Sequence, residues 1–401
     1  MTPGLAAQTG EGMQRLRAMI RPSIVRMQTG QTQRFVVSAM KARLEAAAAL
    51  DGVKWTVNDI PGGNSEHGTI SAEGLYHAPK STIGARTIRI GAHVGGVANP
   101  YLWATVLTGT SLPQVKLVRS WVEPREKAER MKDPHAVVID REGNVLVIDE
   151  GSHRVLRYNN QGRYLGDVGL GPGREPGQFT KPRHAAIGED GRIWVSDEKT
   201  DRPRLQVFSP AGEFLRISAE KGTGPGMLLR AHGMQFDKQR RLFVVDVDNA
   251  RVNLYRPDGE FLKSWGKDGL LPGMFNAAHG LYIDPSGDVF ISGYYGPVQK
   301  FTPDGDFLQA FCYGEPPDGP VHFHAIGGDR WGNVYVTVRN RGHRPNEVSV
   351  IKYNNNGDLV TRWRLSTEDR EINWVTADDV GLIYAVFTGK SHIGVEVFQS
   401  E

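Results

Sequence analysis

Five histidines recur at nearly even intervals along the chain, each beside a short apolar run. They are His135, His184, His232, His279 and His324, and the intervals between them are 49, 48, 47 and 45 residues. Neutral imidazole is the commonest metal ligand in proteins, and one cation can satisfy several buried ring nitrogens that otherwise lack partners. The spacing therefore predicts a histidine-ligated metal centre, provided that the fold brings these positions together.

Each histidine begins the same sequence pattern. A short apolar strand is followed by a glycine turn, a second strand that often ends in Asp, and two further strands. Examples are PHAVVIDREGNVLVID, AHGMQFDKQRRLFVVD and FHAIGGDRWGNVYVTV. A repeat of forty-odd residues with four strands per unit is typical of a β-propeller blade. One such unit buries too little apolar surface by itself, so the units must pack around a common axis.

The last unit, INWVTADDVGLIYAVF followed by GVEVFQSE, lacks an outermost strand, whereas VKLVRSWVEP (residues 115–124) resembles the outer strand FLKSWG of the third unit. We expect residues 115–124 to complete a sixth blade, so that neither end of the ring leaves an exposed sheet edge. The prediction for residues 111–401 is thus an all-β, six-bladed β-propeller closed by strand 115–124.

In a propeller the innermost strands line the central channel, and their starting ends lie on one face. The sequence therefore predicts a ring of the five histidines and Asn373 around one mouth of the channel. Alternate blades have near three-fold symmetry and catalytic zinc usually has three protein ligands, which favours His135, His232 and His324 as the metal triad. His184, His279 and Asn373 would be supporting donors, substrate contacts or ligands of a second ion. Duplication of one ancestral histidine without any function is the alternative.

Loops that follow the second strand of each blade share the face of the histidines. A metal-activated water or polarised oxygen needs a nearby proton donor or acceptor, and the candidates are Glu150, Glu198, Tyr294 and Tyr295. Arg339 begins a basic loop that could hold an anionic group. The recurring Asp149, Asp197 and Asp246 are assigned a structural role in the turn after the strand.

The repeats resemble NHL repeats in the DEGSHR stretch, the PDG and NNG turns and the GPGREPGQFTKP linker. That resemblance implies the propeller fold and leaves the activity open. The blade motifs quoted above are also similar to those of peptidyl-hydroxyglycine amidating lyases. This second resemblance implies metal ligands at His135, His232 and His324, with zinc as the metal. The lyases have a tyrosine where this chain has Glu198–Lys199, so the resemblance is not extended to the substrate.

Residues 23–110 form a separate strand-rich unit. Its GTISAEGLYHAP run resembles bacterial Ig-like domains, which implies a β-sandwich, with Trp55 as the core aromatic residue. Such modules often dock other domains, so a protein contact through the Ig-like domain is a further expectation. Residues 1–22 are expected to be a flexible N-terminal segment.

Composition limits the partners and the compartment. The chain has 48 basic and 45 acidic residues, a net charge of +3, which gives no electrostatic case for nucleic acid or a membrane surface. A single cysteine excludes an intrachain disulfide. The compartment stays open, periplasmic or secreted if a signal has been removed and otherwise cytoplasmic.

The leading functional hypothesis is a metal-dependent enzyme, a lyase or hydrolase that acts on a small polar or anionic molecule. Zinc is the expected metal, and copper or iron would also fit a histidine-only site. Two alternatives remain. One is a non-catalytic NHL/Ig-like scaffold for a protein or glycan, and the other is a copper or iron oxidoreductase that uses the same histidines.

Overall fold

The computed structural model describes residues 18–40, 46–80, 86–97, 101–108, 114–124, 131–198, 201–294, 297–311, 321–340, 349–364 and 370–400. All regular structure among them is β. None of these residues belongs to a helix long and apolar enough to cross a membrane.

The N-terminal part contains twelve strands in three small sheets. The strands are β1 (Ala18–Arg21), β2 (Ile24–Met27), β3 (Thr32–Arg34), β4 (Val36–Met40), β5 (Ala46–Ala49), β6 (Lys54–Val57), β7 (Ile60–Pro61), β8 (Gly63–Asn64), β9 (Gly68–Ile70), β10 (Leu75–His77), β11 (Arg86–His93) and β12 (Tyr101–Thr108). The sheet orders are β1-β4-β5, β3-β10-β9-β8 and β2-β12-β11-β6-β7. One apolar core joins all three, and it includes Phe35, Trp55, Tyr76 and Ile90.

Two sequence-based predictions concern this N-terminal part and can be compared with its strands. Trp55 is buried in the core, as predicted. The boundary of the flexible segment is wrong, since Ala18–Arg21 pair with Val36–Ala39 and bury Ala18 and Ile20. Residues 1–17 lie outside the described residues. The Ig-like assignment stays a prediction.

The rest of the chain forms six four-stranded antiparallel sheets, which fit a β-propeller. The strands are β13 (Val115–Pro124), β14 (Pro134–Ile139), β15 (Val145–Asp149), β16 (Arg154–Tyr158), β17 (Tyr164–Val168), β18 (Pro182–Ile187), β19 (Ile193–Asp197), β20 (Arg204–Phe208), β21 (Phe214–Ala219), β22 (Ala231–Phe236), β23 (Leu242–Asp246), β24 (Arg251–Tyr255), β25 (Phe261–Trp265), β26 (Ala278–Ile283), β27 (Val289–Gly293), β28 (Val298–Phe301), β29 (Phe307–Phe311), β30 (Val321–Gly328), β31 (Val334–Asn340), β32 (Ser349–Tyr353), β33 (Leu359–Arg364), β34 (Arg370–Ala377), β35 (Leu382–Gly389) and β36 (His392–Ser400).

Blades 1 to 5 are formed in chain order by β14–β17, β18–β21, β22–β25, β26–β29 and β30–β33, and blade 6 has the order β13-β36-β35-β34. Each first strand contacts the first strand of the next blade, and β34 contacts β14, so the ring is closed. β13 pairs with β36 from Val115↔Ser400 to Pro124↔His392. The outer strand of blade 6 therefore comes from the segment that precedes blade 1.

The N-terminal part docks on blade 5. The Trp331 indole N–H donates to Asp59 Oδ2 at 2.9 Å. The guanidinium groups of Arg89 and Arg330 lie 3.8 Å and 4.7 Å from the centroid of the Trp331 ring. A second contact joins Asn354 Nδ2 to the Ser23 carbonyl at 3.1 Å. Burial lowers the pKa of Arg89, although Asp59 and Asp329 counter the effect.

Replacing Trp331 with alanine is expected to loosen this docking without unfolding the propeller. Across the docking contact the substitution removes one hydrogen bond and the cation–π contact with Arg89, which together contribute about 1–2 kcal/mol at a partly exposed site. Hydrogen exchange should quicken around Asn58 and Asp59 while the blade cores keep their protection. Trp331→Phe keeps a ring and should give a smaller effect. Equal exchange in all three proteins would contradict the docking role.

Candidate metal centre

The register of the first two strands shows which residues are equivalent from blade to blade. The last residue of the second strand faces Pro134 in blade 1, Pro182 in blade 2, Ala231 in blade 3 and Ala278 in blade 4. On the first strand, the residue directly after this proline or alanine lies in a bulge at the mouth of the channel. In order around the ring this position is occupied by His135, Arg183, His232, His279, His324 and Asn373.

This register corrects the position of His184. His184 pairs with Ser196 just as Ala136 pairs with Ile148, so it lies one residue farther along the strand than the ring position. Its Nδ1 accepts the backbone N–H of Met234 at 3.3 Å, which assigns the proton of the neutral ring to Nε2. Burial and the nearby His232 lower the pKa of His184 to about 3. This Nε2 is also buried without a hydrogen-bond partner, but in the protonated form it offers no lone pair, so His184 is left out of the candidate ligand set.

Sequence reasoning missed Arg183 as the residue at this position of blade 2. The signal was present, because Pro134 precedes His135 directly whereas Arg183 separates Pro182 from His184. Trp374 was also missed. It lies at the same register position as His184, and their ring centroids are 4.4 Å apart, so the two residues form a layer beneath the ring.

Three of the histidines come together closely enough to share one ion. The candidate ligand atoms of His135, His232 and His279 all lie within 4.8 Å of one another. The ring of His279 is central, with its centroid 4.1 Å from that of His232 and 4.5 Å from that of His324. The ring centroids of His135 and His324 are 6.0 Å apart. The trio therefore contains His279 in place of the predicted His324, because the ring of His279 lies between those of His232 and His324.

The electrostatic setting keeps these rings neutral. Burial lowers the pKa of His135, His232 and His279, well below the usual value for His135 and His279. The neighbouring histidines and Arg183 add to the effect on His135 and His279, since a positive ring would face other positive groups. A neutral imidazole has one lone pair, which is the form that binds metals.

Hydrogen bonds behind the rings orient them. His135 Nδ1 lies 2.9 Å from the Arg183 carbonyl and His324 Nδ1 lies 3.0 Å from the Asn373 carbonyl, so each donates to the ring residue of the next blade. His232 Nε2 lies 3.3 Å from Glu198 Oε2. Such carbonyl and carboxylate partners are typical of metal-binding histidines, because they fix the tautomer and direct the other nitrogen to the ion.

Buried nitrogen atoms without partners remain at the centre of the cluster. His232 Nδ1 has no hydrogen-bond partner, and neither ring nitrogen of His279 has one. An unsatisfied buried polar group costs about 1–3 kcal/mol, and groups of this kind in a native protein need an explanation. A cation held by these nitrogens would supply it, so the residues present fit a metal ion.

Charged residues of blades 1 to 3 surround the ring. Arg183 pairs with both Glu150 and Glu198, Lys181 lies 3.6 Å from Glu150, and Arg230 bridges Glu198 and Asp248. Although burial raises the pKa of Glu198, the hydrogen bond from the neutral His232 ring and the charges of Arg183 and Lys181 lower that pKa to about 2. Glu198 thus stays ionised and accepts protons poorly. Its geometry suits it to orient His232.

The other predicted catalytic residues have different outcomes. The Tyr294 hydroxyl lies 3.4 Å from His324 Nε2, and its ring centroid is 4.8 Å from that of His279, so it borders the cluster. Glu150 reaches the site through Arg183. Tyr295 and the side chain of Arg339 lie outside the described residues.

The recurring aspartates hold the segments that enter the ring. Asp149 accepts the backbone N–H groups of Lys132 and Asp133, Asp197 those of Thr180 and Lys181, and Asp246 those of Leu229 and Arg230. Each pair lies just before the inner strand of the same blade. The carboxylates therefore fix the start of the inner strands that carry His135, Arg183 and His232.

Comparisons with known proteins place the fold. No protein-family model matches the sequence. Mouse peptidyl-glycine alpha-amidating monooxygenase is 29% identical over 126 residues, which is 29% of this chain and 13% of that protein. The chain thus matches a small part of this curated relative.

Solved structures match over far more of the chain. A protein of unknown function from Bacteroides thetaiotaomicron aligns with 98% of this chain and 100% of its own, with a TM-score of 0.52 and 15% identity. A gluconolactonase from Xanthomonas campestris covers 73% of this chain and 95% of its own, with a TM-score of 0.51 and 12% identity. At these identities the likeness shows the propeller fold, in a group of structures that includes enzymes.

Proposed function

We propose that this protein is a metal-dependent enzyme whose active site is the histidine cluster at one mouth of the propeller channel. The observation that carries the proposal is His279, a buried imidazole with no hydrogen-bond partner at either nitrogen, beside two further neutral histidines. A cluster without a ligand would leave these polar atoms unsatisfied in a buried setting.

His135, His232 and His279 would hold the ion, through Nε2 of His135, Nδ1 of His232 and either nitrogen of His279. Three imidazoles with a position left open are the usual ligand set of catalytic zinc, and copper or iron would also suit nitrogen ligands. When bound, zinc acts as a Lewis acid and lowers the pKa of a coordinated water.

The residues of the chain supply the remaining chemistry. The Tyr294 hydroxyl can hold or deliver a proton beside the cluster, and Glu198 keeps the His232 ring in its ligating orientation. Lys181, Arg183 and Arg230 are paired with Glu150, Glu198 and Asp248 around the mouth, and these charged groups can bind a small polar substrate. The reaction class that we propose is a lyase or hydrolase.

Elemental analysis of untagged protein tests this proposal. About one equivalent of a transition metal, retained after dialysis and removed by a chelator, is the expected result. Zinc would favour the lyase or hydrolase, whereas copper or iron would favour an oxidoreductase on the same histidines. Less than about a tenth of an equivalent, even after reconstitution, would favour a non-catalytic binding scaffold.

A further inference from the structure

The turn between the first two strands has the same hydrogen bonds in five of the blades. An aspartate directly after the first strand accepts, through Oδ1, the backbone N–H of the residue four positions later, and its own N–H donates to the carbonyl of that residue. The pairs are Asp140–Asn144, Asp237–Arg241, Asp284–Asp288, Asp329–Asn333 and Asp378–Leu382. These five turns can therefore be compared atom by atom.

In four of these turns the second carboxylate oxygen, Oδ2, accepts a hydrogen bond from a side chain at 2.7–3.2 Å. The donor is the residue four positions later or a tyrosine in the second strand, and the donors are Asn144, Arg241, Asn333 with Tyr335, and Tyr384. Blade 4 has neither donor, because Asp288 occupies the first position and Phe290 the second. Asp284 Oδ2 is buried there without a hydrogen-bond partner.

The charges at this turn do not balance if both carboxyl groups are ionised. Asp284, Asp288 and Lys300 are all buried, and Lys300 Nζ lies 3.0 Å from Asp288 Oδ2 and donates to the Asn355 carbonyl of blade 5 at 2.9 Å. One ammonium group balances one carboxylate, so a second ionised carboxylate would leave a buried net charge. Burial raises the pKa of Asp284 and the charge of Asp288 raises it further, although Lys300 counters the effect.

Other charged and titratable groups close to this turn have different contacts. Burial holds the pKa of Tyr282 well above its usual value, and the Tyr282 hydroxyl donates to the carbonyl of Asp329, whose own carboxylate is bonded within blade 5. Lys238 of blade 3 donates to the carbonyl of the residue after Asp284, and Asp306 is exposed in the outer turn of blade 4. None of them is a hydrogen-bond partner of Asp284 Oδ2.

We propose that Asp284 and Asp288 share one proton, which Asp284 carries and donates to the carboxylate of Asp288, and that the contact between blades 4 and 5 loosens when this proton is lost. The pair is the counterpart of the Asp–Asn pairs in blades 1 and 5, with a carboxyl proton in place of an amide hydrogen. It lies at the opposite end of β26 from His279, so this pH-sensitive device is separate from the candidate metal centre.

The sign of the pH dependence follows from the position of the proton. Aspartate in an unfolded chain has a pKa of about 3.9, whereas the pKa of Asp284 in the folded protein is raised. The contribution of the pair to stability is therefore fully present below about pH 4 and is lost as the pH rises through the raised pKa. Between these two limits unfolding releases one proton, so this pair raises the unfolding equilibrium constant about tenfold per pH unit.

Urea unfolding of the full chain and of Asp288→Asn, from about pH 5 to about pH 8, tests the proposal. Asparagine supplies the amide donor found in blades 1 and 5 and leaves one carboxylate for Lys300, so this variant needs no shared proton. The ratio of the parent's unfolding equilibrium constant to that of the variant should rise about tenfold per pH unit until the pair ionises. The histidines and other titrating groups are common to both proteins and cancel in this ratio.

Two further variants make the result specific. Asp284→Asn supplies an amide donor from the other side of the pair and should lose the pH dependence as Asp288→Asn does. Asp304→Asn removes an exposed carboxylate of the same blade and should unfold with the pH dependence of the parent. A parent-to-Asp288→Asn ratio that is constant with pH, a ratio that responds to added calcium ions instead of pH, or loss of the dependence in Asp304→Asn would each overturn the proposal.

Discussion

Replacing His279 with alanine is expected to empty the metal centre. The side chain lies between His232 and His324, and both of its nitrogens lack partners in the buried cluster. Loss of one of three ligands should reduce the metal content from about one equivalent to less than about a tenth. The measurement is elemental analysis after dialysis, together with thermal unfolding to show that the variant is folded.

Two matched variants make this result specific. His184→Ala removes an equally buried imidazole whose Nδ1 is used by the Met234 N–H, so this variant should keep its metal. His324→Ala distinguishes the trio from the alternate-blade triad that sequence analysis favours. If His324→Ala loses the metal and His279→Ala retains it, His279 is not a ligand.

Asp197→Ala is expected to destabilise the propeller strongly. Asp197 is fully buried, its Oδ2 lies 3.1 Å from Arg204 Nη2, and its Oδ1 accepts the N–H groups of Thr180 and Lys181. The change leaves the guanidinium group of Arg204 at 2% exposure without a carboxylate partner, although it still donates to the carbonyls of Arg174, Glu175 and Gln178. Loss of one partner of a buried ion pair costs about 3–5 kcal/mol of unfolding free energy. Urea unfolding monitored by tryptophan fluorescence measures the loss.

A control for this prediction lies close by in the sequence. Asp201 pairs with Arg174 at 2.6 Å, but both side chains are about half exposed. Exposed ion pairs contribute about 0–1 kcal/mol, so Asp201→Ala should unfold almost as the parent does. Similar losses in the two variants would show that burial does not decide the strength of these pairs.

The sequence predicts the architecture well, because the architecture is repeated. Five copies of one pattern show where each blade begins, and alternating apolar residues show where its strands lie. The all-β propeller follows from these features alone. The non-repeating parts are harder. Ala18–Arg21 have no repeat partner, and only their pairing with β4 shows that they are ordered.

The candidate site was predicted in part, because its position depends on single-residue register. Alignment by histidine alone put His184 in the ring, whereas the pairing of Pro182 with Asp197 puts Arg183 there. The choice of His279 over His324 depends on how far each imidazole ring reaches towards the channel axis. The spacing of residues along the chain gives no information about that distance. The ionic contacts of Glu198 likewise join three blades, and so its role as a partner of His232 could not be predicted from local sequence.

The pairing of β13 with β36 has a consequence for biosynthesis. β13 leaves the ribosome more than two hundred residues before its partner, since Val115 bonds to a strand that ends at Ser400. During all of that time β13 has an unpaired edge, and unpaired edges are where nascent β proteins aggregate. Translation must therefore reach β36 before the ring can close.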